Sequence, residues 1–156
     1  MKTEILFPEV ANLCGDLMNV TYLRQCCPEM EVVETGLKDR PAFLDGGVDL
    51  VYVGSATERG LQLMVKALAP YRAELERYVD GGGLMLATGN ALDALGEYVV
   101  IDGKRAFDGL GILKTHAEYH MMKRHNSFLL GSFQDMEIVG FKSLFGHTYP
   151  DDELAN

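Results

Sequence analysis

Residues 80–96, DGGGLMLATGNALDALG, constrain the fold of this chain more than any other stretch. Three glycines loosen a turn, Leu84-Met85-Leu86-Ala87 form a short apolar run, Thr88-Gly89-Asn90 make a corner of small residues, and Ala91 to Leu95 suit a helix. Strand, sharp turn and helix in immediate succession belong to an alternating α/β chain, and the preceding residues keep that rhythm. Residues 4–7 read as a short buried strand closed by Pro8, which cannot extend a ladder. Leu17, Val20 and Leu23 recur at helical spacing over residues 16–27, with Asp16 expected as N-cap and Pro28 as the stop. Residues 31–35 and 49–53 suit strands covered on both faces. Residues 57–79 are helical in pattern, with Pro70 dividing them into two pieces. Strands alternating with helices predict a mostly parallel sheet joined by crossover helices.

The remainder changes character. Residues 111–119, 128–133 and 138–141 read as strands separated by Gly, Asn and charged turns, expected as antiparallel additions at one edge of the sheet. With 156 residues and no linker or repeat, residues 1–156 are expected to form a single domain. No apolar run approaches the ~20 residues of a membrane span, and the first ten residues lack a signal-peptide core, so a cytoplasmic location is expected. A net charge of −9 and only two small basic pairs, Lys104-Arg105 and Lys123-Arg124, argue against a nucleic-acid partner. Three cysteines without metal-ligand spacing read as free thiols.

A strand-to-helix corner is where hydrolases and amidotransferases mount a nucleophile, because the bend lifts one side chain clear of the sheet and aims backbone N–H groups at the developing oxyanion. This corner holds neither cysteine nor serine. Thr88 ends a buried strand, where a threonine ordinarily bonds a neighbouring backbone group. Cys14 lies just before a helix start, which favours a thiolate, but reads more simply as a half-buried free thiol. Cys26-Cys27 are expected to pack the end of a helix. His116, Glu118 and His120 share one strand face, with His125 nearby; an exposed polar face gives the same spacing as a metal site. Gly81-Gly82-Gly83 precede a strand instead of following one, which makes them a turn and not a phosphate cradle. The Met121-Met122 pair is expected to serve packing.

Four stretches in order resemble one family. They are Asn12-Leu13-Cys14-Gly15-Asp16 with Asn19 and Leu23-Arg24; Val53-Gly54-Ser55-Ala56-Thr57-Glu58-Arg59; Phe107-Asp108-Gly109-Leu110-Gly111-Ile112-Leu113; and Ile138-Val139-Gly140-Phe141. Together they are similar to the cobyric-acid-synthase-like class I glutamine amidotransferases, and within these to glutaminase subunits that work with a Mur-ligase-like partner on lipid II. The resemblance implies a flavodoxin-like three-layer α/β sandwich and a Cys-His glutaminase that passes ammonia to a synthetase partner. It implies no cofactor and no metal ion.

The departures matter as much as the matches. Aligning Leu95-Gly96 with the family's Leu-Gly places Gly89 at the nucleophile cysteine, Asn90 and Ala91 at the small residues after it, and Asp93 at a following glutamine. Loss of a covalent nucleophile can cost about six orders of magnitude in rate. Ser55 and Ala56 replace glycines of the turn that supplies oxyanion donors. Lys142, Ser143 and Leu144 replace Glu-Asn-His, His147 stands for an arginine, and the catalytic histidine is expected beyond His147-Thr148-Tyr149. The resemblance thus leaves Thr88, Gly89, Asn90 and Asp93 as a degenerate elbow, with Gly54, Ser55, Ala56, Asn12 and Asp16 as candidate ligand-binding residues.

Three expectations follow: a binding or regulatory subunit without glutaminase activity; an enzyme of changed chemistry around Asp93, Thr88 or Cys14; or the amino-terminal part of a longer protein, since the family pattern continues past Asn156 and the acidic Asp151-Asp152-Glu153 provide no cap for a sheet edge. A homodimer covering that edge is the structural alternative.

Overall fold

The computed structural model describes residues 1–150, so Asp151-Asp152-Glu153 lie outside the described residues. Strands β1 (Lys2–Leu6), β2 (Glu31–Thr35), β3 (Leu50–Val53) and β4 (Leu84–Ala87) form an all-parallel sheet in the order β2-β1-β3-β4. Alternation sorts their side chains onto two faces. Ile5 and Tyr52 pack with Val20 of helix α1 (Met18–Cys26) on one face. Leu6, Val51 and Val53 meet α2 (Glu58–Leu68) and α3 (Arg72–Asp80) on the other, through Leu61, Met64, Leu68 and Leu75. Helices therefore cover both faces. Thr57 caps α2, its hydroxyl accepting from the Gly60 N–H, and Pro70 lies in a 3₁₀ turn, Ala69–Tyr71, that separates α2 from α3.

Two sequence expectations change here. Asp16 does not cap α1, whose N-cap is Leu17; its carboxylate reaches across to other loops instead. The later strands do not extend the parallel sheet. After α4 (Ala91–Leu95), strands β5 (Tyr98–Ile101), β6 (Lys104–Asp108), β7 (Thr115–Tyr119) and β10 (Gly146–Pro150) form a second sheet, ordered β10-β7-β5-β6. Its β5–β7 pair is parallel and its outer pairs are antiparallel. β8 (His125–Phe133) and β9 (Met136–Leu144) stand apart as an antiparallel hairpin.

Residues 109–113 stay out of the second sheet because their N–H groups are engaged elsewhere. Leu110 N–H bonds the Ala94 carbonyl, Ile112 and Leu113 N–H bond that of Leu95, and Gly111 N–H bonds that of Gly96. The segment thereby satisfies carbonyls at the end of α4, and Arg72 of α3 holds it from outside through the Leu110 and Gly111 carbonyls. Glycine is required at 109, where a Cβ would lie 2.2 Å from the Gly96 carbonyl oxygen. The cysteines are free thiols, as expected, but Cys14 is exposed instead of half-buried, and Cys26 and Cys27 are exposed instead of packing the helix end. Among the described residues no helix is long and apolar enough to cross a membrane.

One buried carboxylate anchors the first sheet. Glu4, fully buried in β1, accepts from the Thr35 hydroxyl and the Ala42 N–H through one oxygen and from the Phe43 N–H at 2.7 Å through the other. It thus caps the 3₁₀ turn Ala42–Asp45 across the sheet. Removing it strands buried donors, each costing roughly 1–3 kcal/mol. Glu4→Ala is expected to lower unfolding free energy by about 2–4 kcal/mol, read from urea denaturation; a change below about 0.5 kcal/mol would show the anchor to be dispensable.

Candidate functional site

The strand order reverses between β1 and β3, and ligands of open α/β sheets bind outside the carboxyl ends of the strands at such a switch point. Three loops meet there: residues 7–17 after β1, 54–57 after β3 and 88–90 after β4. Phe7 takes a left-handed φ of 57°, and its carbonyl accepts from the Val10 and Ala11 N–H groups, which folds the first loop back over the sheet. Gly54 lets that loop approach, since a Cβ there would lie 2.2 Å from the Ala11 carbonyl oxygen.

Asp16 ties the three loops together. One carboxylate oxygen accepts from the Ser55 N–H and the Thr88 hydroxyl, both at 2.6 Å, and the other from the Asn19 amide at 2.8 Å. The Tyr52 hydroxyl donates to the Asp16 carbonyl and lies 3.1 Å from the Thr88 hydroxyl. Partial burial alone would raise the Asp16 pKa, but the donors from Ser55, Thr88 and Asn19 together outweigh it and hold the carboxyl below its ordinary value. Asn12 accepts from the Leu17 N–H and so positions the entry to α1.

The corner after β4 closes against the same loop. Asn90 makes a paired contact with Ala56, accepting from its N–H at 2.9 Å and donating to its carbonyl at 2.8 Å. Gly89 adopts a left-handed φ of 54°, and a Cβ there would meet the Ser55 Cβ at 2.8 Å. Ser55 is itself fixed by reciprocal contacts with Leu13: its carbonyl accepts the Leu13 N–H and its hydroxyl donates to the Leu13 carbonyl. The N–H groups of Ser55 and Ala56, which could serve an oxyanion, are thus held by Asp16 and Asn90.

Asp93 belongs to a different environment. Buried on α4, it accepts from the Tyr119 hydroxyl at 2.5 Å and the Thr148 hydroxyl at 2.6 Å, joining α4 to β7 and β10. Burial raises its pKa against the pull of those two bonds, and burial together with the Asp93 charge pushes the Tyr119 phenol far up. The structure brings Asp16, Ser55, Ala56, Thr88 and Asn90 together, places Asn12 beside them on the Leu17 N–H, and leaves Asp93 and Cys14 apart. Tyr52 is the network member the sequence did not single out; its only signal is a phenol in an otherwise aliphatic buried strand.

His116 stacks between Tyr98 and Tyr149, with ring centroids 5.0 and 5.5 Å apart, and its Nε2 is 3.8 Å from Glu118. Among the described residues no group of three or more His, Cys, Asp or Glu side chains is arranged to hold a metal ion.

A buried acid with a raised pKa contributes stability below its unfolded value, near 3.8, and loses it as pH rises through the folded value. Asp16, held low, acts in the opposite sense: its contribution is present above 3.8 and is lost as pH falls through its folded value. Asp93→Asn is therefore expected to gain stability relative to the parent as pH rises from about 4 to 7, measured by denaturant unfolding across that range. A difference independent of pH would contradict the burial of a titrating Asp93.

No protein-family model matches the chain. The chain is similar to the lipid II isoglutaminyl synthase (glutamine-hydrolyzing) subunit GatD of Staphylococcus aureus (strain N315), at 28% identity over 145 residues. The match covers 90% of this chain and 58% of the relative, so the chain spans less than two thirds of that protein's length. That similarity relates the chain to a glutamine amidotransferase subunit.

Proposed function

We propose that this chain is a glutamine amidotransferase-like subunit that does not hydrolyse glutamine at its elbow and acts as a binding or regulatory partner of an amide-forming, Mur-ligase-like enzyme. The observation that carries the reading is the closure of the corner. Gly89 supplies no side chain, the direction of its absent Cβ is filled by Ser55, and the adjacent Ser55 and Ala56 N–H groups are engaged within the protein. A glutaminase centred here would need a nucleophilic side chain, which Gly89 does not supply, and two of the N–H groups beside it are already in use. The similarity to a glutamine-hydrolysing synthase subunit supports the ancestry. The order β2-β1-β3-β4, with helices on both faces, supports the flavodoxin-like assignment, since it reproduces the first four positions of the order 2-1-3-4-5. A cytoplasmic role in cell-wall amidation belongs to the same reading.

Steady-state glutamate release, measured alone and with a Mur-ligase-type partner, tests it. No release above background is expected in either case; turnover near the ordinary enzyme range of about 1–10³ s⁻¹ would overturn the reading.

A further inference from the structure

The β8–β9 hairpin carries the largest apolar exposure in the described residues, on both faces but most heavily on one, since Leu129, Phe133, Met136 and Ile138 of the other face are 43–59% exposed. At its base, Ser127, Gly140, Lys142 and Leu144 share a face by strand alternation and are half-buried, which marks that face as the one turned to the body of the protein. The opposite face bears two cross-strand pairs, Phe128 with Phe141 and Leu130 with Val139, whose members are 63–80% exposed. The two phenyl rings meet edge to face, with centroids 5.7 Å apart. An isolated two-stranded hairpin is marginally stable in water, and a solvated patch of this kind marks an interaction surface.

The charges along the hairpin indicate what covers it. Asp135 and Glu137 lie at the tip, and Lys123 and Arg124 lie at the base immediately before β8. A two-fold contact places the same patch of both copies face to face. If the strands run antiparallel across it, each acidic tip lies over the partner's basic base while the Phe128–Phe141 pair of each copy meets the Leu130–Val139 pair of the other. We propose that a second copy of this chain docks here, through the Phe128, Leu130, Val139 and Phe141 face, in this antiparallel arrangement.

Nine residues at ~3.4 Å each and strands ~4.8 Å apart give a face of roughly 300 Å² per copy, below the ~800 Å² per partner of a standard complex. The dimer is accordingly weak and forms as concentration rises. The proposal is independent of the function proposed for the elbow.

Sedimentation equilibrium of the 156-residue chain from roughly 10 µM to 1 mM tests it, with circular dichroism to verify folding. The parent is expected to shift from monomer to dimer. Reversing the tip (Asp135→Lys with Glu137→Lys) or the base (Lys123→Glu with Arg124→Glu) is expected to weaken dimerisation at least threefold, and combining all four to restore it. A monomer at every concentration, including one that binds only a ligase-type protein, would overturn the proposal. A dimer indifferent to the single reversals, or one the combination fails to restore, would overturn it equally.

Discussion

The upper end of the parallel sheet depends on one carboxylate. Asp16 accepts from Ser55, Thr88 and Asn19 at 2.6–2.8 Å, and through these bonds the loops after β1, β3 and β4 are held as one unit. Charge-assisted acceptance of a backbone N–H and a hydroxyl is stronger than neutral pairing. It is also why the pKa of this half-exposed acid falls despite its partial burial. The left-handed Gly89, the tight approach at Gly54 and the Asn90–Ala56 pair are geometric companions of the same closure. The corner thus presents a glycine beside Ser55 and Ala56 N–H groups already in use.

A second buried acid does a different job. Asp93, with Tyr119 and Thr148, fastens α4 to the second sheet, while residues 109–113 satisfy the far end of the same short helix. Five residues make a helix too short to hold itself. Its order comes from these contacts and from burial of Ala91, Ala94 and Leu95 in the main core. The helix after the corner is therefore a joint between two sheets, and Asp93 serves the joint and not the corner.

The first half of the fold was legible because its signals are local. Proline and threonine mark the ends of α2, and short apolar runs mark the buried β3 and the edge strand β4. The second half was less so. The β5–β6 hairpin lies outside the expected strands although Asp102-Gly103, both with positive φ, is a strong two-residue turn signal between strands. The β8–β9 turn lacks that chemistry, using Gln134 at a φ of 53°, and its strands run further than their apolar cores suggest. Asp16 predicts a helix cap because aspartate before a periodic apolar segment ordinarily is one. Two of its three side-chain partners lie 39 and 72 positions away, beyond the reach of local pattern. For the same reason the residue matches around the corner could pick out Gly89 but not the Ser55 side chain set against it.

The central claim is that Ser55 occupies the space into which a side chain at position 89 would project. Its most direct test is the alkylation rate of the thiol introduced by Gly89→Cys, with and without Ser55→Gly, resolved by peptide mass spectrometry from the exposed Cys14, Cys26 and Cys27. The single variant is expected to react at least tenfold more slowly than the double variant, both being folded. Equal rates in the two would show that the corner is open and contradict the account.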